Sequence, residues 1–120
     1  MKTILVVEDD PLLGEMLLDC LQFAGYGTVL AGDGEDGLAR MRAARPDMVL
    51  CDLHLPRMDG MGVARAMRTE PGLRATPFVL MSADHRAMVE EVHGQPTLLK
   101  PFGLHTLLET IASQIGAPTR

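Results

Sequence analysis

The sequence predicts an α/β protein built on a doubly wound parallel sheet, and three observations predict it. Short apolar runs alternate with longer stretches of helical period, and five such units follow one another along 120 residues. The runs are continuously apolar rather than alternating, as in strands covered on both faces. Four of them end at an acid, a glycine or a small polar residue, the usual boundary of a strand.

The strands are read at Ile4 to Val7, Thr28 to Ala31, Met48 to Cys51, Phe78 to Met81 and Thr97 to Leu99. The first helix follows from a face of Leu12, Leu13, Met16, Leu17, Cys20, Leu21 and Ala24, with Asp10 as N-cap, Pro11 in the first turn and Gly25 as the stop. Residues 35–44 and 61–69 are read as helices, and 84–93 as a weaker one. The last helix rests on Leu104, Leu107, Leu108, Ile111 and Ile115, and Gly116-Ala117-Pro118 ends it.

Hydrophobic residues make up 47% and charged residues 22%, near the globular averages of about 45–50% and about 25%, so the chain is expected to fold as one domain over residues 1–120. Its longest apolar runs are about four residues, far short of the roughly 20 that a membrane span needs. No membrane partner and a cytoplasmic location are expected. A formal charge of −5 repels polyanions, which disfavours direct contact with nucleic acid. Cys20 and Cys51 lack Cys-x-x-Cys spacing and are expected to be reduced, buried and inert. The nine methionines stand beside Leu, Val or Ala, where packing explains them.

Ligands of a doubly wound sheet bind beyond the carboxyl ends of its strands. The residues there are Glu8, Asp9 and Asp10 after the first strand, Asp52 after the third, Ser82 after the fourth and Lys100 after the fifth. If the first and third strands are neighbours, Glu8, Asp9 and Asp52 converge, and clustered carboxylates call for a cation. An open oxygen-only site suits Mg2+. A carboxylate beside such an ion, faced by a lysine and a hydroxyl, has the parts to accept a phosphoryl group, and Asp52, alone at its strand end, is the candidate nucleophile. Taken singly, each residue has a plain reading: Asp10 as a helix cap, Ser82 as another, Lys100 as a surface charge. Five compatible groups at the same ends of four strands are harder to explain that way.

The chain resembles the receiver domain of bacterial two-component response regulators over its whole length, in the chemotaxis-type single-domain form. The resemblance rests on Ile4-Leu5-Val6-Val7-Glu8-Asp9-Asp10-Pro11, on Asp52-Leu53-His54-Leu55-Pro56-Arg57-Met58-Asp59-Gly60, on Met81-Ser82-Ala83 and on Leu99-Lys100-Pro101-Phe102. It implies a five-stranded sheet of order 2-1-3-4-5. It also implies Asp52 as phosphoacceptor, Glu8, Asp9, Asp52 and the backbone carbonyl of His54 around Mg2+, Ser82 as the switch hydroxyl and Lys100 on the phosphoryl group. The partner it implies is a histidine kinase or histidine phosphotransfer protein, and the bond from Lys100 to Pro101 is commonly cis in this family. The protein would be a signalling switch rather than an enzyme, either standing alone or as part of a longer regulator. Two departures bear on output: Thr97 stands where receivers often carry a switch aromatic, and the stretch from Ser82 to Lys100 is about one helical turn short, so the helix there is expected to be shortened and residues 83–97 to become ordered on activation.

Rival readings are weaker. Gly32-Asp33-Gly34-Glu35-Asp36-Gly37 matches a dinucleotide loop, but its three acids would repel a pyrophosphate, and the glycines are read as permitting a turn. A flavin carrier lacks its phosphate loop and, with no Trp and one Tyr, its stacking partners. An aspartyl-phosphate-type phosphohydrolase would share nucleophile, metal and lysine, but needs a second acid beside Asp52, for which His54 is the candidate.

Overall fold

The computed structural model of the protein describes residues 1–84 and 96–118. The elements are β1 (Thr3–Val7), α1 (Pro11–Ala24), β2 (Gly27–Ala31), α2 (Gly34–Ala44), β3 (Met48–Asp52), α3 (Gly60–Arg68), β4 (Phe78–Ser82), β5 (Thr97–Leu99) and a final helix, here α4 (Leu104–Ile115). The expected helix over 84–93 lies outside the described residues except for Asp84, which is not helical, and the ordering expected of residues 83–97 falls largely on the same segment.

The five strands are all parallel in the order β2-β1-β3-β4-β5, as the resemblance implied. Alternate residues of the central strands feed two separate cores, because successive side chains of a strand point to opposite faces. Leu5, Val7, Val49, Cys51 and Leu80 pack under α2 and α3 with Leu38, Met41, Val63 and Met67. Ile4, Val6, Leu50, Val79 and Met81 pack under α1 and α4 with Leu17, Leu21, Leu107 and Ile111. β3 and β4 are buried at every residue, which is why their sequences run apolar without alternation.

Local chemistry sets the helix ends. Asp10 Oδ1 accepts from the Leu12 and Leu13 amides at 3.0 and 3.4 Å, and Gly25, at φ 107°, closes α1 in the left-handed conformation that a Cβ disfavours. Asp33 caps α2 by accepting from Asp36 N at 2.8 Å. The end of α4 is met from the other end of the chain, where Lys2 Nζ donates to Ile115 O, the last carbonyl of the helix, and to Ala117 O just beyond it, at 2.6 and 2.8 Å.

Three expectations need correction. The apolar period puts Leu12 and Met16 on the core face of α1, yet they are 75% and 62% exposed, because the buried stripe runs through Gly14, Leu17 and Leu21. Leu104 likewise faces outward, and Leu107 and Ile111 hold α4 down. Cys20 is half-buried; Cys51 alone of the two cysteines is in the core.

Candidate functional site

Strand register brings the acidic residues together. Val7 pairs with Cys51, so the next residues, Glu8 and Asp52, emerge side by side, and Ser82 pairs with Leu99, so Lys100 emerges just beyond. The same end of the sheet therefore collects Glu8, Asp9, Asp52, Ser82 and Lys100.

The carboxylates of Glu8, Asp9 and Asp52 present oxygens within 4.8 Å of one another. Glu8 and Asp52 are buried at 3% and 7% exposure, whereas Asp9 is exposed. Lys100 Nζ donates to Glu8 Oε1 at 3.0 Å and to Asp52 Oδ2 at 3.3 Å. The other Glu8 oxygen accepts from the Asp10 amide at 3.2 Å. Lys100 therefore has partner charges before any phosphoryl group arrives, since it is already bound to two carboxylates.

The electrostatics follow from burial. Desolvation lifts the Glu8 carboxyl above its ordinary 4.5; the Lys100 and Asp10 bonds oppose that rise, and the Asp52 charge adds to it. Burial pulls the Lys100 ammonium down, but its bond to Glu8 and the charges of Asp52 and Glu8 outweigh this and hold it above 10.5. Burial also pushes the Cys51 thiol well up, helped by Asp52, Glu8 and Asp59, so Cys51 is a neutral core group whose Sγ donates to Asp52 O at 3.3 Å.

These shifts carry a stability prediction. A carboxyl whose folded pKa is raised binds its proton more tightly in the native state, so its contribution falls as pH rises from 4.5 through the folded value. Glu8 should thus be a net cost to the metal-free protein at neutral pH. Asp9, the other acid beside it on the chain, is exposed and carries no such burial cost. Glu8→Gln is expected to raise the metal-free melting temperature by a few degrees at pH 7 and by less at pH 4, while Asp9→Asn leaves it nearly unchanged. Calorimetry showing the reverse order would refute a burial-dominated Glu8.

The loop after Asp52 is tied down at several points. Leu53 N donates to Met81 O and Gly60 N to Leu53 O, each at 2.8 Å, and Asp59 caps α3 by accepting from Gly62 N at 2.8 Å. Asp59 was not singled out from the sequence, although an Asp-Gly step at the start of a helical pattern is a capping signal. Ser82, 1% exposed, accepts from the Asp84 amide at 2.9 Å; among the described residues its hydroxyl bonds to neither Asp52 nor Lys100. The His54 side chain is 65% exposed and lies 3.9 Å from Asp84 Oδ2. Lys100-Pro101 is cis, as the resemblance implied, and Thr97 is exposed on β5.

A model of the response regulator receiver domain matches residues 4–112. The chain belongs to this family. The receiver is 45% identical over 119 residues to the DNA-binding response regulator MtrA of Mycolicibacterium paratuberculosis, covering 95% of this chain and 51% of MtrA. It thus spans about half the length of that relative, and 35% of the MtrA of Mycolicibacterium smegmatis. It is also 31% identical over 119 residues to the probable chemotaxis protein CheY of Rhizobium etli, covering 95% of this chain and 92% of CheY. Among solved structures, it matches the receiver domain of the sensor histidine kinase PA1611 of Pseudomonas aeruginosa, which holds a magnesium ion in its active-site cleft. The TM-score is 0.86 at 28% identity, covering 97% of this chain and 98% of that one. Receiver relatives act as signalling switches, and no described helix of this one is long and apolar enough to cross a membrane.

Proposed function

We propose that this receiver takes a phosphoryl group onto Asp52 from a phosphohistidine of a histidine kinase or histidine phosphotransfer protein, and acts as a switch rather than a turnover enzyme. The observation that supports it is a buried carboxylate at a strand end, with an ammonium 3.3 Å away and two further carboxylates beside it. An Asp52 oxygen attacks phosphorus as the bond to the imidazole nitrogen breaks, and the imidazole leaves with its electron pair, to be reprotonated from solvent. Lys100 offsets charge on the phosphoryl oxygens. The Ser82 hydroxyl, which accepts from Asp84 N, keeps its own proton to donate.

Three oxygen donors within 4.8 Å fit a hard divalent ion, so Glu8, Asp9 and Asp52, with the His54 carbonyl, would hold Mg2+. When bound, the ion supplies positive charge to the phosphoryl oxygens. Glu8 accepts one hydrogen bond on each oxygen, from Lys100 and from Asp10 N, and each oxygen keeps a second lone pair for a metal.

In this reading residues 1–120 form one receiver unit, working in the cytoplasm where kinases donate phosphate. DNA binding is named for MtrA as a whole, and the present chain corresponds to half of it. Incubation with acetyl phosphate and magnesium should give one phosphoryl group per chain and no turnover of small phosphate esters. Multiple turnover of p-nitrophenyl phosphate would overturn the switch and favour the phosphohydrolase.

A further inference from the structure

We propose that a pocket at the opposite end of the sheet from Asp52 binds a phosphoryl oxyanion through Arg68 and Arg74. The pocket, about 130 Å³, lies where β4 begins and beside Pro96, just before β5. Arg68 is the last residue of α3, Arg74 lies in the turn that follows, and Thr76, Gln114, Met67 and Phe78 line the same pocket. The volume is several times the ~10–15 Å³ that one water requires, which leaves room for a tetrahedral anion.

The charge balance of this region favours an anion. Arg40 pairs with Asp36, Arg57 with Asp33 and Arg42 with Glu70, whereas Arg68 and Arg74, like Arg45 and Arg65 outside the pocket, have no ion-pair partner among the described residues. Glu70, the nearest acid in sequence, is held by Arg42 Nε at 3.0 and 3.1 Å. Arg68 at the C-terminal turn of α3 offsets the helix dipole, but that does not explain why a second guanidinium from a separate turn lines the same pocket. Two planar guanidinium forks, a hydroxyl and an amide offer more donors than the two oxygens of a carboxylate can accept, and they suit a phosphoryl group with three or four oxygens.

The chemistry is shared by inorganic phosphate and by a phosphomonoester. The test is titration of inorganic phosphate into the full chain without magnesium at constant ionic strength, following the arginine Nε–H, Thr76 and Gln114 signals by NMR. Saturable shifts with a dissociation constant on the order of 1 mM are expected. They should weaken about tenfold in both Arg68→Gln and Arg74→Gln, and persist in Arg65→Gln, an exposed α3 arginine outside the pocket. Acetate should give no saturable shift. Tighter binding of glycerol phosphate would assign the site to a phosphomonoester, and weaker binding to free phosphate. Non-saturable shifts, an equal response to acetate, or an equal loss in Arg65→Gln would overturn the proposal, and none of these outcomes depends on Asp52.

Discussion

Asp52→Asn is expected to abolish phosphoryl transfer outright, whether from acetyl phosphate with magnesium or from a phosphohistidine donor. A neutral amide is not a nucleophile toward phosphorus, and among the described residues the other carboxylates of the cluster are poorly placed to substitute. Glu8 is engaged through both oxygens, and Asp9 is exposed. The variant should remain folded, because Asn is isosteric, β3 stays buried along its length, and Lys100 keeps its 3.0 Å bond to Glu8. Mass spectrometry of the treated variant should therefore show no adduct beside a circular dichroism spectrum like that of the parent. Labelling that persists at the parental level would move the acceptor elsewhere.

The second large effect is structural. Gly34 opens α2, and a Cβ there would stand 2.1 Å from the Met58 carbonyl oxygen and 2.8 Å from the Met58 Cβ. Backbone cannot rotate aside as a flexible side chain does, so Gly34→Ala must push the loop that follows Asp52 away from α2. The same seam carries the ion pair between Arg57 Nε and Asp33 Oδ2 at 3.5 Å. We expect a loss of about 2–3 kcal/mol, the upper range of overpacking, and a melting temperature lower by roughly 10 °C. Gly32→Ala, whose Cβ would meet nothing within 4 Å, is the matched control and should be nearly neutral. Equal melting points for the two variants would show that the seam separates freely.

The glycines of this loop illustrate how far the sequence could be read. The spacing from Gly32 to Gly37 suggested a dinucleotide loop and then a permissive turn. The structure gives Gly34 and Gly37 a packing role against Met58 and Val7, which no local pattern encodes, since those neighbours come from other strand ends. Helix faces show the same limit. Apolar period alone placed Leu12 and Met16 inward, but which part of a broad apolar stripe is covered depends on where β2 and α4 lie, and Gly14 rather than Leu12 meets Leu30.

Sequence alone determined the strands, their fold class and the set of residues beyond their carboxyl ends, because buried parallel strands must be continuously apolar and their ends must be polar. Helix starts were equally readable at Asp10-Pro11, where capping is chemistry between neighbours. Tertiary structure alone decided who pairs with whom. The register of β1 against β3 sets Glu8 beside Asp52, and that of β4 against β5 brings Lys100 to both. It also divided the acids, burying Glu8 and leaving Asp9 in water, so that the cost of holding a charge falls on Glu8. Partners 92 residues apart, as Glu8 and Lys100 are, leave no local pattern in the chain; their distance and their burial exist only once the sheet has closed.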